Sequence, residues 1–239
     1  MESAVNMTAM NVREAAGAER NAAAQLLGQY TERAGTLPGA DDPQLRAWRD
    51  EAMTAFAARG LPHRRVEEWK YSDLRSVMRE AYAPADGEVS VTAAQIADAL
   101  GDAASIDAAK LVLVNGRFRP DLSDLGSETE GAELETLAAA LAVPGSGAAA
   151  AIGPANRQDG DVVALLNAAL MTDGVVLRLA DKVVLQRPVH LIHVAANEAP
   201  ASAALRNVII LEAGSAATFV ESYVSIGSAG AQLNAVTRF

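Results

Sequence analysis

Two histidines are the residues whose types and spacing first suggest chemistry. His190 and His193 resemble a pair of metal ligands. They lie in a predicted strand, where successive side chains alternate between the two faces, so their odd separation places them on opposite faces. The sequence therefore predicts that these histidines do not share a metal ion. We expect the chain to bind no metal and no cofactor of its own.

The motifs of common enzyme classes are missing from the sequence. It contains no cysteine, which excludes disulfides, thiolate metal sites and cysteine nucleophiles. It also contains no Gly-x-x-x-x-Gly-Lys-Ser/Thr phosphate loop, no Gly-x-Gly-x-x-Gly turn after a strand and no Gly-x-Ser-x-Gly nucleophile elbow. We therefore predict that the chain is not an enzyme.

An aromatic and basic segment, Trp69-Lys70-Tyr71, follows the charge-rich stretch Arg64–Glu68. One interpretation is a binding loop in which Trp69 stacks on a ligand or a cation. The other is an anchor, in which Trp69 and Tyr71 are buried against neighbouring helices while the charged side chains pair at the surface. We favour the anchor.

Charge and hydropathy exclude two kinds of partner. The 239-residue chain has a formal net charge of −10, which disfavours binding to nucleic acid. No apolar run approaches the roughly 18 residues of a membrane span, and the first residues lack the apolar core of a signal peptide. These features predict a cytoplasmic protein that does not contact a membrane.

The residues before Gly174 are predicted to be mostly helical. Asp42 and Pro43 mark the start of one helix, and Thr92 with Gln95 forms a capping-box pattern at the start of another. The predicted helices are Asn11–Arg33, Pro43–Arg59, Ser72–Arg79, Thr92–Gly101, Glu133–Ala142 and Val162–Met171. Between them, Lys110–Val114 is a predicted strand, and Asn115-Gly116 is a type I′ turn signal that makes a hairpin with Arg117-Phe118.

From Gly174 onward, β-branched runs alternate with turn residues, and no run has a helical period. The predicted strands are Val175–Leu179, Val183–Leu185, Val189–Val194, Leu205–Glu212, Ala217–Ser225 and Ala235–Phe239. The pattern predicts a sandwich, barrel or solenoid with no fixed sequence repeat, and we expect it to be incomplete because the chain stops within the last run. The fold class is α+β, with a mostly helical domain over 1–173 and a β domain over 174–239.

Five segments, in order along the chain, resemble the SufB/SufD family of the SUF iron–sulfur cluster assembly machinery. They are Gly60–Arg75 (GLPHRRVEEWKYSDLR), Leu111–Leu125, Ala164–Leu179, Pro188–Val194 and Arg206–Tyr223. The Trp-Lys-Tyr and Asn-Gly-x-Phe motifs favour the SufD branch. The family-motif residues, which we expect to act as structural anchors, are Trp69, Lys70, Tyr71, Asn115, Gly116, Asn167 and Gly174.

The resemblance implies a fold and a role. The family has an N-terminal helical domain, a right-handed parallel β-helix, of which residues 174–239 would form the first rungs, and a C-terminal helical domain. It implies a non-catalytic scaffold that works with a SufB-like paralogue and a SufC-like ATPase, so cluster assembly and ATP use belong to the complex. The family's contact regions for both partners lie mostly beyond residue 239.

Two other interpretations remain open. The first is a β-helical enzyme, either sugar-acting or an acyltransferase, although the six-residue period of hexapeptide acyltransferases is missing. The second is a generic protein-interaction solenoid.

Overall fold

A computed structural model describes residues 21–87, 89–124, 126, 131–143 and 161–239. Its α-helices are α1 (Ala22–Arg33), α2 (Pro43–Arg59), α3 (Leu74–Val77), α4 (Ala93–Leu100), α5 (Leu137–Ala142) and α6 (Val162–Leu170). Its strands are β1 (Ala109–Val114), β2 (Arg117–Phe118), β3 (Ala132–Thr136), β4 (Val175–Leu179), β5 (Val189–Ala196), β6 (Ala201–Leu211), β7 (Phe219–Ile226) and β8 (Ala231–Arg238). The first part of the predicted helix Asn11–Arg33 and the motif residue Leu125 lie outside the described residues.

The helix starts predicted at Asp42 and Thr92 are confirmed by their capping contacts. The Asp42 carboxylate accepts the N–H groups of Gln44 and Leu45, so α2 begins at Pro43 as expected. Thr92 and Gln95 make both hydrogen bonds of a capping box at the start of α4. These short-range contacts depend on residues a few positions apart, which is why the sequence alone located them.

Two predicted elements are wrong. Glu133–Thr136 belongs to strand β3 and not to a helix, because it pairs antiparallel with β4, Glu135 opposite Val176; the helix begins only after Thr136, which caps it. Val183–Leu185 is not a strand, since its ladder contact is an isolated bridge between Val184 and Ala216. In both places long-range pairing, which sequence periodicity does not contain, decided the local structure.

The strands form two mixed sheets of four strands each. Sheet 1 has the order β2-β1-β5-β7 and sheet 2 the order β3-β4-β6-β8. Strands β1, β5 and β7 are parallel, as are β4, β6 and β8, whereas β2 and β3 pair antiparallel at one edge of each sheet. The α+β class with helices and a hairpin is therefore confirmed.

From β4 onward the chain alternates between the two sheets, strand by strand. Val189 of β5 pairs with Phe219 of β7, thirty residues later. Ala201 of β6 pairs with Ala231 of β8, also thirty residues later. These two pairings thus share one spacing although the sequence shows no repeat, whereas β4 and β6 pair two residues further apart, Val176 with Val208. Strands β1, β2 and β3 precede Gly174 but belong to the same two sheets as the later strands. The division of the chain into two domains at Gly174 therefore remains a prediction.

The apolar residues form layers around these sheets. A cluster between the sheets joins β1, β4, β5 and β6 through residues such as Leu113, Leu177 and Leu191. The outer face of sheet 2 packs against α2 and α5, and the outer face of sheet 1 packs against α4. None of the helices in the described residues is both long enough and apolar enough to cross a membrane.

Gly174 lies immediately before β4, at a position where the backbones leading into β4 and of β6 are very close. Its φ angle is 150°, and a Cβ atom built there would lie 1.9 Å from the carbonyl oxygen of Arg206. Its neighbour Asp173 accepts a hydrogen bond from the Arg206 N–H at 3.0 Å, which keeps the two backbones together. Only glycine fits, because any side chain would separate β4 from β6.

We expect Gly174→Ala to lower the free energy of unfolding by about 3 kcal/mol, since the methyl group must displace the Arg206 backbone. Urea denaturation followed by circular dichroism measures this change. Gly28→Ala is the matched control, because a Cβ at Gly28 in α1 meets nothing within 4 Å. A helix interior favours alanine by up to about 1 kcal/mol. Equal stability of the two variants would contradict the packing role of Gly174.

Candidate functional site

The Trp69-Lys70-Tyr71 segment begins at the last residue of a one-turn 3₁₀ helix, Glu67–Trp69, at the surface. Trp69 is half-buried, whereas the ring of Tyr71 is 93% exposed. Lys70 pairs with Glu67 at 2.9 Å, and its ammonium lies 5.3 Å from the centroid of the Tyr71 ring. The expected burial of Tyr71 is therefore wrong. Tyr71 lies two residues beyond the end of this helix, and it faces solvent while Trp69 is half-buried.

Trp69 lines a cleft of about 470 Å³ between the helical part of the chain and sheet 2. One wall comes from α1, α3 and the segment that follows α3; the floor comes from the first residues of β6 and β8. That segment is fixed to the sheet, because Ala85 donates to the carbonyl of Ser202 at 2.7 Å and Ser202 donates to that of Ala83 at 2.8 Å. The cleft thus has a rigid floor and an aromatic side chain at its wall.

Asn115 and Gly116 form the turn between β1 and β2, with φ angles of 49° and 80°. The Asn115 amide nitrogen donates to the Ala196 carbonyl, and its amide oxygen accepts the Ala196 N–H, both at 2.8 Å. The side chain therefore continues the β1–β5 ladder where the backbone turns away. A Cβ at Gly116 would lie 3.1 Å from that of Ala203, so the turn also packs closely on β6.

Asn167 joins α6 to two strands of sheet 2. It is fully buried, and its amide nitrogen donates to the carbonyls of Leu205 at 2.8 Å and Asn234 at 2.9 Å. Its amide oxygen accepts from Nε of Arg206 at 3.0 Å. Asn234 donates in return to the carbonyl of Val163 at 3.0 Å. A single side chain thus satisfies backbone groups of β6 and β8 at once.

Two buried arginines were missed by sequence reasoning. Arg49 donates to the carbonyls of Ala169 and Met171 at 2.8 and 3.0 Å, at the C-terminal end of α6. This end carries the negative pole of the helix dipole. Burial lowers the pKa of Arg49 and of Arg206 to about 10, so both remain charged at neutral pH. The burial of Arg49 could have been predicted from its position in α2, because Arg49 lies on the same apolar face of the helix as Leu45 and Phe56.

The two histidines of β5 lie on opposite faces of the strand, as predicted. His190 is hydrogen-bonded through Nε2 to Oγ of Ser222 at 2.8 Å. His193 faces the other way and stacks on Tyr223, with ring centroids 4.7 Å apart. Among the described residues, no group of three or more His, Cys, Asp or Glu side chains is arranged to hold a metal ion.

A row of polar side chains crosses from sheet 2 to sheet 1. Asn207 donates to Oγ1 of Thr237 at 3.2 Å, and Thr237 bonds to the Glu221 carboxylate. Tyr223 donates to the same carboxylate at 2.8 Å. Burial, together with this bond to Glu221, raises the pKa of Tyr223, so the phenol keeps its proton. Sequence reasoning missed the row because its members come from three strands.

His193 stands at the inner end of this row. It is 1% exposed, and within the described part of the chain neither ring nitrogen has a hydrogen-bond partner. Burial lowers its pKa to about 4, while the Glu221 carboxylate acts in the opposite direction. The imidazole is therefore neutral at physiological pH.

These features define an α+β protein with two mixed sheets, in which Asn115 bonds β1 to β5 while Asn167 and Arg206 tie α6 to sheet 2. A family model described as the SufBD protein N-terminal region matches residues 20–191. This match covers most of the chain, and the chain belongs to the SufB/SufD family.

Two relatives agree with this assignment. An iron–sulfur cluster assembly SufBD family protein of Synechocystis is 27% identical over 194 residues, which are 80% of this chain and 42% of the relative. The iron–sulfur cluster assembly protein SufD of Escherichia coli is 41% identical over 76 residues, which are 32% of this chain and 16% of that protein. The matched region spans less than half the length of either relative.

We expect Trp69→Ala to lower the free energy of unfolding by about 2 kcal/mol, roughly half the cost of truncating a fully buried ring. Tyr71→Ala is the control, since its ring is almost entirely in solvent, and it should change stability by less than about 0.5 kcal/mol. Chemical denaturation of both variants compares them directly. An equal loss in the two variants would show that the anchor is not specific to Trp69.

The buried imidazole of His193 should make stability depend on pH. Its pKa in the folded chain is about 4, below the value of about 6.5 in an unfolded chain. The unfolded state therefore binds a proton first as the pH falls. The contribution of His193 to the free energy of unfolding is fully present above about pH 6.5 and is lost progressively as the pH falls towards about 4.

Between pH 7.5 and pH 5 the expected loss from His193 is about 2 kcal/mol. Urea denaturation at the two pH values measures it in the wild type and in His193→Phe, which keeps a ring to stack on Tyr223. Between these two pH values, the free energy of unfolding of His193→Phe should fall by about 2 kcal/mol less than that of the wild type. The same pH dependence in both proteins would show that His193 is accessible to protons in the folded state.

Proposed function

We propose that the chain is the N-terminal portion of a SufD-type scaffold subunit in the SUF iron–sulfur cluster assembly complex. The observation that carries this proposal is the family match over residues 20–191. The relatives' names, which refer to iron–sulfur cluster assembly, support it. By the same resemblance, the working partners are a SufB-like paralogue and a SufC-like ATPase in the cytoplasm, and the ATPase supplies the ATP use.

We further propose that the two sheets are the first rungs of a right-handed parallel β-helix. The alternation of β4 to β8 between the sheets supports it, because each strand pairs in parallel with the strand two positions later. The thirty-residue spacing corresponds to one complete rung. Stacked rungs give a rigid surface suited to holding partner subunits.

The proposed role is non-catalytic. His193 is neutral and buried at physiological pH, which makes it a poor general acid. The Glu221 carboxylate is already hydrogen-bonded by Tyr223 and Thr237. A sugar-acting enzyme places a pair of carboxylates beside the bond it cleaves, and the described residues lining the cleft include neither Asp nor Glu. These observations favour a scaffold over the enzymatic alternative.

Deletion of the gene tests this proposal in the organism. We expect the deletion strain, grown under iron limitation, to lose aconitase activity relative to aconitase protein, because cluster supply fails. The wild-type gene should restore activity, whereas Gly174→Val should not, since it separates β4 from β6.

Two further variants test the non-catalytic role. His193→Phe and Glu221→Gln should restore aconitase activity if no catalytic group is lost. Unchanged aconitase in the deletion strain would contradict the assembly role, and failure of a folded Glu221→Gln variant would contradict the non-catalytic role.

A further inference from the structure

We propose that the cleft beside Trp69 binds a small organic anion with a flat apolar body. The cleft is a separate site from the row of polar residues between the sheets. The proposal goes beyond the scaffold role and does not depend on it.

The shape of the cleft suits a small molecule. Its volume of about 470 Å³ falls within the range of roughly 300–1,000 Å³ that is typical of ligand sites. Its walls are mostly apolar, with Leu26, Leu74 and Met78 opposite the small side chains of Ala203 and Ala231. Small residues on the floor and long residues on the walls leave a slot that accepts a flat body.

The charge of the cleft is opposite to that of the whole chain. The net charge of the chain is −10, yet Arg33 and Arg117 line the cleft, and no Asp or Glu does so among the described residues. Arg33 pairs loosely with Asp86 at 3.7 Å, and the Asp86 side chain is 78% exposed. Such an exposed pair contributes little and leaves the guanidinium available. Arg117 is exposed, and its side chain forms no hydrogen bond or ion pair with any other described residue.

The hydrogen-bonding groups of the cleft select an acceptor. The amides on its floor are already used, because Gln232 bonds to the backbone of Tyr82 and Glu80, and Asn234 donates to Val163. The indole N–H of Trp69 and the hydroxyl of Tyr82 have no partner in the part of the chain that the structure describes. The unused donors therefore match a ligand that carries a carboxylate, sulfonate or phosphate beside an aromatic ring.

A pair of fluorescent probes tests both halves of this proposal on the 239-residue chain. Anilinonaphthalene sulfonate is an aromatic anion, and N-phenyl-1-naphthylamine has the same rings without the charge. We expect saturable binding of the anion, with a Kd about tenfold lower than that of the neutral probe. Fluorescence titration at low ionic strength measures both values.

The double variant Arg33→Gln, Arg117→Gln should weaken binding of the anion about tenfold and leave the neutral probe unchanged. Arg46→Gln, Arg65→Gln is the matched control, since it removes the same charge from exposed arginines outside the cleft. Trp69→Leu should weaken both probes, because it removes the ring on which they stack. Melting curves confirm that each variant is folded.

Two results would overturn the proposal. One is the absence of saturable binding by the anion to the wild-type chain. The other is equal weakening by the cleft variant and the control variant, which would show a general effect of net charge and no site at the cleft.

Discussion

The structure depends on satisfying the backbone hydrogen bonds that the strand ladders leave unpaired. A buried N–H or C=O without a partner is costly, and strand ladders end wherever the chain crosses. Three asparagines supply the missing partners. Asn115 pairs with both backbone groups of Ala196, Asn167 bonds to β6 and β8, and Asn207 accepts the N–H of Val175 at 3.2 Å. Asparagine suits this position because its amide offers both a donor and an acceptor.

The helices depend on the same requirement. The last carbonyls of α6 have no partner within the helix, and Arg49 reaches them from α2 with a buried, charged side chain. Arg206 of β6 bonds to Asn167 of α6, so both arginines hold α6 in place. Burying these cations is costly, but each is held by several oxygen acceptors. The helical layer is therefore fixed to sheet 2 by directional bonds as well as by apolar packing.

The buried hydrogen bonds and the donors that line the cleft lie in different parts of the structure. The side chains of Asn115, Asn167 and Arg49 are buried, and each is hydrogen-bonded to backbone carbonyls inside the protein. Unused donors gather instead at the cleft beside Trp69, where the floor is rigid and the walls are apolar. The row from Asn207 to His193 links the two sheets through the bond between Thr237 and Glu221.

The sequence by itself determined the features that depend on contacts between residues close together in the chain. The caps at Asp42 and Thr92, the turn at Asn115 and the opposite faces of His190 and His193 all follow from residues close together in the chain, and the family followed from five ordered motifs. Tertiary structure decided the rest. Glu133–Thr136 became a strand because β4 pairs with it, and Tyr71, two residues beyond the end of the 3₁₀ helix, stayed exposed. The cleft and the polar row join residues far apart in the chain, and their contacts exist only after the sheets have assembled.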